Sequence, residues 1–166
     1  VDTAVHLLVG EELTPPETKG YTVSVLSAYL WAVGVARDKG VYSEEEYQTA
    51  IRETKELVDN FQTVIEESEA WYDRNRASIV NSDRLFVLGY GIDYGSMLEG
   101  MLKVGEMLRL PTIGYEIEEY SHGPTMALKP NQTLFMIGSD EAEFERMLQF
   151  RAAFKKYTDR VHVITC

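Results

Sequence analysis

The sequence predicts an α/β fold, a three-layer α/β/α sandwich around a mostly parallel sheet, with long helices in front of it. Three observations predict it. From Arg84 onward, short apolar runs alternate with helical stretches, the pattern of a parallel sheet with helical crossovers. Each run is apolar throughout rather than at alternate positions, as strands covered on both faces are. Residues 21–67 instead carry apolar side chains at helical spacing.

The elements follow in order. Ala4-Val5-His6-Leu7-Leu8-Val9 reads as a short buried strand ended by Gly10. Glu11 to Gly20, with Pro15-Pro16, reads as a loop. Tyr21 to Lys39 is apolar on most sides, which predicts a helix buried on several faces, and Gly40 suits its C-terminal cap. Ser43 and Glu46 stand three apart, as in a capping box, and open a helix to about Glu67. Glu66 to Asn75 is polar apart from Ala70, Trp71 and Tyr72, and extends as helix toward a break near Asn81-Ser82-Asp83.

Then strands and helices alternate. Arg84–Gly89 is a strand and Tyr94–Leu110 a helix. Pro111–Glu116 is a strand, and Glu118–Leu128 is mostly helical with Pro124 interrupting it. Thr133–Gly138 is a strand and Asp140–Thr158 a helix, with acidic residues in its first turn and Lys155-Lys156 in its last, as the macrodipole prefers. Val161–Thr165 is the final strand.

Composition narrows the function. A chain of 166 residues is long enough to bury a core without disulfides or a structural metal. Its single cysteine, Cys166, excludes a disulfide framework and a cysteine-based zinc site. His6, His122 and His162 are scattered, so no metal centre is expected. The net charge of −11 repels phosphate backbones and argues against nucleic acid as partner. No apolar run reaches the roughly 18–20 residues needed to cross a bilayer. No signal peptide is visible, and the expected compartment is the cytoplasm.

Three features bear on chemistry. Gly89-Tyr90-Gly91 lies between a strand and a helix, where backbone amides can meet an anion. The next glycine is misplaced for a dinucleotide fingerprint, and a plain tight turn explains the pair equally. Glu99, Lys103 and Glu106 share one helix face. That row reads either as a solvated ion-paired stripe or as an acid–base array. Gly95, Ser96, Gly100 and Gly105 favour the second reading, because they invite close approach of a ligand or another backbone. A carboxylate crowded in that way can have its pKa raised and move protons. His122 sits in Ser121-His122-Gly123-Pro124, as a surface loop histidine or as a proton shuttle.

Leu98-Glu99-Gly100, Lys103 and Glu106, followed sixteen positions on by His122-Gly123-Pro124, resemble the sugar isomerase (SIS) domain. The specific likeness is to the second SIS repeat of glucosamine-6-phosphate synthase and its relatives, the phosphosugar isomerases and fructosamine-phosphate deglycases. It covers about Arg84 to Thr165. Upstream, Glu17-Thr18-Lys19-Gly20-Tyr21-Thr22 resembles the hinge between the two repeats, in a form closer to the deglycases. By this likeness residues 1–20 are the last strand and hinge of a first repeat, and residues 21–166 are the second SIS domain.

The resemblance implies a five-stranded, flavodoxin-like sheet, a dimer or larger homo-oligomer, and a site between repeats and subunits. It makes Glu106 the acid/base glutamate. Glu99 and Lys103 match active-site positions, and His122 matches a histidine donated by a neighbouring subunit. Gly89, Tyr90, Gly91, Thr18 and Lys19 are the candidate substrate contacts. The implied chemistry is aldose–ketose isomerisation or fructosamine-6-phosphate deglycation through an enediol or enolamine, with no metal or organic cofactor. The alternative is a sensor that binds sugar phosphate without turnover. Two family features are not matched in this chain: the Ser/Thr-rich phosphate loop S-x-S-G-x-T, and a C-terminal tail with a lysine. The isolated chain is therefore expected to be inactive.

Overall fold

The structure, a computed structural model, describes residues 4–139 and 141–165. The readings that fall on Val1–Thr3, Asp140 and Cys166 lie outside the described residues. The chain divides into two units, Val1–Trp71 and Tyr72–Cys166.

The first unit is helical. Helix α1 spans Lys19–Asp38. Gly40 terminates it with φ +70. The Gly40 N–H donates to the Arg37 carbonyl at 2.9 Å and the Val41 N–H to that of Ala36 at 2.8 Å, a Schellman ending. Helix α2, Glu44–Asp59, starts on the predicted capping box, with Ser43 N–H donating to Glu46 Oε2 at 2.7 Å and Glu46 N–H to Ser43 Oγ at 3.2 Å. It does not run to Glu67. It stops at Asn60, whose side-chain amide donates to the Glu56 carbonyl and competes with the next helical turn. Helix α3, Phe61–Val80, follows at once and crosses from the first unit into the second.

The expected strand at Ala4–Val9 is not formed. Val5 is 53% and Leu8 94% exposed, and a strand without a paired neighbour leaves its backbone groups to water. Among the described residues the sheet has four strands rather than the five that the resemblance implies, in the order β2-β1-β3-β4.

These are β1 (Leu85–Gly89), β2 (Thr112–Glu116), β3 (Thr133–Ile137) and β4 (Val161–Ile164). All pairings are parallel, with Phe86 opposite Ile113 and Leu134, and Leu134 opposite Val161. Between them run α4 (Asp93–Leu108), α5 (Ile117–His122), a 3-10 turn (Pro124–Ala127) and α6 (Glu141–Phe154). Helix α4 ends before the expected Leu110 because Arg109 turns left-handed, φ 51, ahead of Pro111. Pro124 splits the helix expected over Glu118–Leu128, since it lacks an N–H to continue the ladder. Helix α6 closes at Phe154, so Lys155 and Lys156 lie just past its end.

Register sorts the side chains into two faces. On one, Phe86, Leu88, Leu134, Met136 and Val161 pack with Ile117 and Tyr120 of α5 and Met147 and Phe154 of α6. Tyr120 meets Phe86, Tyr115 and Phe154 at ring centroid distances of 5.2, 5.6 and 5.3 Å. On the other face lie α4 and the end of α3. Thr133 Oγ1 contacts Ser82 Oγ at 2.5 Å and donates to the Ser78 carbonyl at 3.2 Å, and Arg160 donates to the Ser78 and Asn81 carbonyls. These are the three layers that the strand–helix alternation predicts.

Helix α4 lies close on β2 at Gly114, whereas Gly95 of the helix faces open space. A Cβ on Gly114 of β2 would lie 2.2 Å from the Met97 sulfur, and one on Gly100 would lie 3.6 Å from Val87. The close approach expected of this helix is to its own sheet.

Candidate functional site

Helix α4 presents Glu99, Lys103 and Glu106 in one row. Lys103 Nζ lies 3.0 Å from Glu106 Oε2 and 3.6 Å from Glu99 Oε1. The row is thus the ion-paired stripe that the helical spacing allows. The hydrogen bond to Glu106, with both carboxylates nearby, holds the Lys103 ammonium above its ordinary range. Crowding is not what distinguishes Glu106: its side chain is 39% exposed, and the small residues beside it pack on the sheet. Two carboxylates against one ammonium leave the row with a net negative charge.

His122 ends α5 and is exposed. It lines a cavity of about 480 Å³ with Tyr94, Tyr115, Glu116, Glu119, Gly123 and others. The cavity exists because Glu116 caps α5, accepting from the Glu119 N–H at 2.9 Å, and Pro124 then turns the chain away. Sequence reading missed Tyr94, Tyr115, Glu116 and Glu119. A glutamate three residues ahead of a second one, at the end of an apolar run, was the signal available for the cap.

Glu106 does not share this cavity. Tyr94 opens α4 and lines it, while Glu106 stands twelve residues further on, about 18 Å of helix rise away. Glu106 and His122 therefore do not line a common cavity.

The Gly89-Tyr90-Gly91 turn sits at the carboxyl end of β1. Tyr90 is buried and donates to Glu118 Oε1 at 3.1 Å. Arg146 holds the same carboxylate at 2.8 and 3.2 Å. Burial and that neighbour raise the Tyr90 hydroxyl far above the ordinary phenol range, and Arg146 lowers Glu118 below the usual carboxylate range. Tyr90 is thus a held core residue with its polar tip engaged.

In the first unit, the Thr18 and Lys19 backbone donors already have a partner. Glu12 Oε1 accepts from the Thr18 N–H at 2.7 Å, the Lys19 N–H at 3.0 Å and the Thr18 hydroxyl at 3.1 Å. Glu12 Oε2 accepts from the Gly20 N–H at 3.2 Å. The carboxylate caps α1 as an anion does at a helix N-terminus.

Among the described residues no group of three or more His, Cys, Asp or Glu is placed to hold a metal ion, and no helix is long and apolar enough to cross a membrane.

The SIS domain family matches over residues 78–166. A glutamine–fructose-6-phosphate aminotransferase (isomerizing) of Caldanaerobacter subterraneus is 30% identical over 148 residues, which is 89% of this chain and 24% of that protein. A Clostridium difficile 630 crystal structure, provisionally described as a phosphosugar isomerase, superposes with a TM-score of 0.81 at 32% identity, over 93% of this chain and 43% of its own. A Salmonella typhimurium LT2 structure, provisionally described as a sugar binding protein, gives 0.76 at 28% identity, over 89% of this chain and 46% of its own. The chain thus spans about a quarter of the sequence relatives it matches, and less than half of these structures.

Proposed function

The chain belongs to the SIS domain family, and we propose that it works in a phosphosugar isomerase or a fructosamine-6-phosphate deglycase as the second of two SIS repeats, with residues 1–20 as the hinge from the first. The observation that carries this reading is the row Glu99–Lys103–Glu106, with Lys103 bound to both carboxylates.

Each part of the row has a chemical use. Ionised Glu106 accepts a proton from the sugar carbon next to a carbonyl and returns it to the adjacent carbon, through an enediol. In the deglycase version the proton leaves the nitrogen-bearing carbon and returns to the former carbonyl carbon through an enolamine; water then adds to the resulting imine, and the C–N bond breaks as the nitrogen takes a proton and leaves as the amine. Such transfers add about 10²–10⁴-fold in rate when donor and acceptor are positioned. Lys103 fixes the Glu106 carboxylate by a charged hydrogen bond, and Glu99 fixes Lys103. His122, exposed on the rim of a cavity that Glu106 does not line, serves the site of a neighbouring copy.

The Salmonella neighbour's description as a sugar binding protein favours a second reading, a module that binds sugar phosphate without turnover. Assays of the whole protein with fructosamine 6-phosphates, and with fructose 6-phosphate plus an amine source, separate the two. Turnover of either supports the enzyme. Tight binding with neither turned over supports the sensor.

A further inference from the structure

The strand order β2-β1-β3-β4 reverses direction between β1 and β3. In open parallel sheets the crevice outside the carboxyl ends of those two strands is the usual ligand position. Here that crevice lies between the turn after Gly89 and the turn after Ile137. The donors facing it include the backbone N–H and hydroxyl of Ser139, and both are taken. Asp93 Oδ2 accepts from the Ser139 N–H at 2.8 Å, and both Asp93 oxygens lie 2.9 Å from the Ser139 Oγ. Asp93 is only 7% exposed.

Two further observations point the same way. Space is missing: a Cβ on Gly89 would lie 2.7 Å from the Asp93 carbonyl oxygen and 3.1 Å from the Met97 Cβ. The first turn of α4 therefore lies directly on the end of β1, and the glycine serves packing rather than ligand approach. Charge is also wrong for an anion. Gly91, φ +44, has the Glu143 carboxylate 3.3 Å from where its Cβ would stand, so two carboxylates flank the turn. Two amides in the first turn of α4 are engaged as well, with Tyr94 N–H on the Gly91 carbonyl and Gly95 N–H on that of Ile92.

We propose that Asp93 is an internal anion that fills the switch-point position of this sheet, latching the turn after β1 to the turn after β3 and closing the crevice to phosphorylated ligands. The latch replaces the protein–ligand bonds that this place in the fold otherwise offers with a charge-assisted pair inside the chain. It also sets the start of α4, and with it the helix that carries Glu99, Lys103 and Glu106. The inference stands on the Asp93–Ser139 geometry and not on the acid–base reading of Glu106.

The test uses the full 166-residue chain, labelled for amide NMR, with inorganic phosphate and glucose 6-phosphate as probes. Wild type is expected to show no saturable shift of the Ser139 or Gly91 amide at ligand levels up to about millimolar. Asp93→Asn is expected to speed hydrogen exchange of the Ser139 amide by about tenfold or more, the weight of one charge-assisted hydrogen bond. A saturable phosphate shift at Ser139 in wild type overturns the proposal, and so does unchanged Ser139 exchange in Asp93→Asn. Should Asp93→Asn not fold, the wild-type titration decides alone. Neither readout involves turnover, so failure of the Glu106 chemistry leaves both intact.

Discussion

The two units use the same apolar residue types in opposite ways. In residues 72–165 the sheet buries Phe86, Leu88, Leu134 and Met136 to 2% exposure or less. In residues 4–71, Val33 and Ala50 are the buried apolar residues, while Trp31, Val35, Leu57, Phe61 and Val64 are each between 46% and 63% exposed. An apolar run in a parallel strand is used up by its own sheet. An apolar stripe on a helix only announces a surface that needs a cover. Exposed apolar side chains this frequent along α1–α3 call for a cover.

The largest effect expected from this contrast is association. A second copy covering the apolar stripes of α1–α3 should give a dimer or larger species at micromolar concentration, worth about 8 kcal/mol or more. Sedimentation velocity checks it. A clean monomer at that concentration breaks the comparison, because the exposed stripes would then be tolerated by solvent.

Stability should divide along the same line. Leu134→Ala empties a fully buried site on the face of the sheet that α5 and α6 cover and should cost about 2–5 kcal/mol. Val35→Ala, at a residue 51% exposed, should change monomer stability by about 0.5 kcal/mol or less. Denaturant melts of both variants below the association concentration measure the gap, and equal losses would erase it.

Activity sharpens the contrast inside the sheet unit. Glu106 belongs to it but contributes no core contact, so Glu106→Gln should leave the melting temperature in place. In the whole protein it should lower kcat by at least about 10²-fold, or about 2.7 kcal/mol of barrier. Near-normal turnover would reduce the row on α4 to a surface ion-pair stripe.

The fold was more legible in the sequence than the site, for reasons visible in particular residues. Strands β1 to β4 were readable because continuous burial demands continuous apolar character, and Ser43 with Glu46 marked the start of α2 through a local pattern. The break at Asn60 was not readable, since a single side chain bonding its own helix is compatible with helix or break. The strand at Ala4–Val9 was misread because apolar character alone does not supply a pairing partner. For the site, Glu99, Lys103 and Glu106 were legible from helical spacing. The Asp93–Ser139 and Glu12–Thr18 contacts were not: each joins a carboxylate to backbone groups 46 or 6 residues away, and a loop donor has no signature of its own.

A smaller effect tests whether the helical unit leans on local signals. Its α2 starts on the capping box, and Ser43→Ala should cost about 1 kcal/mol. With little burial nearby to compensate, that loss should appear as fraying of residues 44–47 in amide exchange. A change confined to global stability, with those amides still protected, would mean that packing rather than the cap holds α2.

The smallest effect concerns Glu12. Backbone N–H groups of Thr18 and Lys19 are the main cause that brings its carboxyl from the ordinary 4.5 to about 2. The sign follows from linkage. A carboxyl held lower in the folded chain than in the unfolded one stabilises above the unfolded value, and that contribution is lost as pH falls from about 4.5 toward 2. The group is only partly buried, so the contribution is small and screened by salt. It should show as earlier acid fraying of Thr18, Lys19 and Gly20 than of the sheet. In Glu12→Gln the exchange of those three amides should become nearly flat across that window, while Leu134 and Met136 amides behave as in wild type. If the three amides keep their pH response without the Glu12 carboxylate, another group holds the start of α1, and the first unit is better anchored than its exposed side chains suggest.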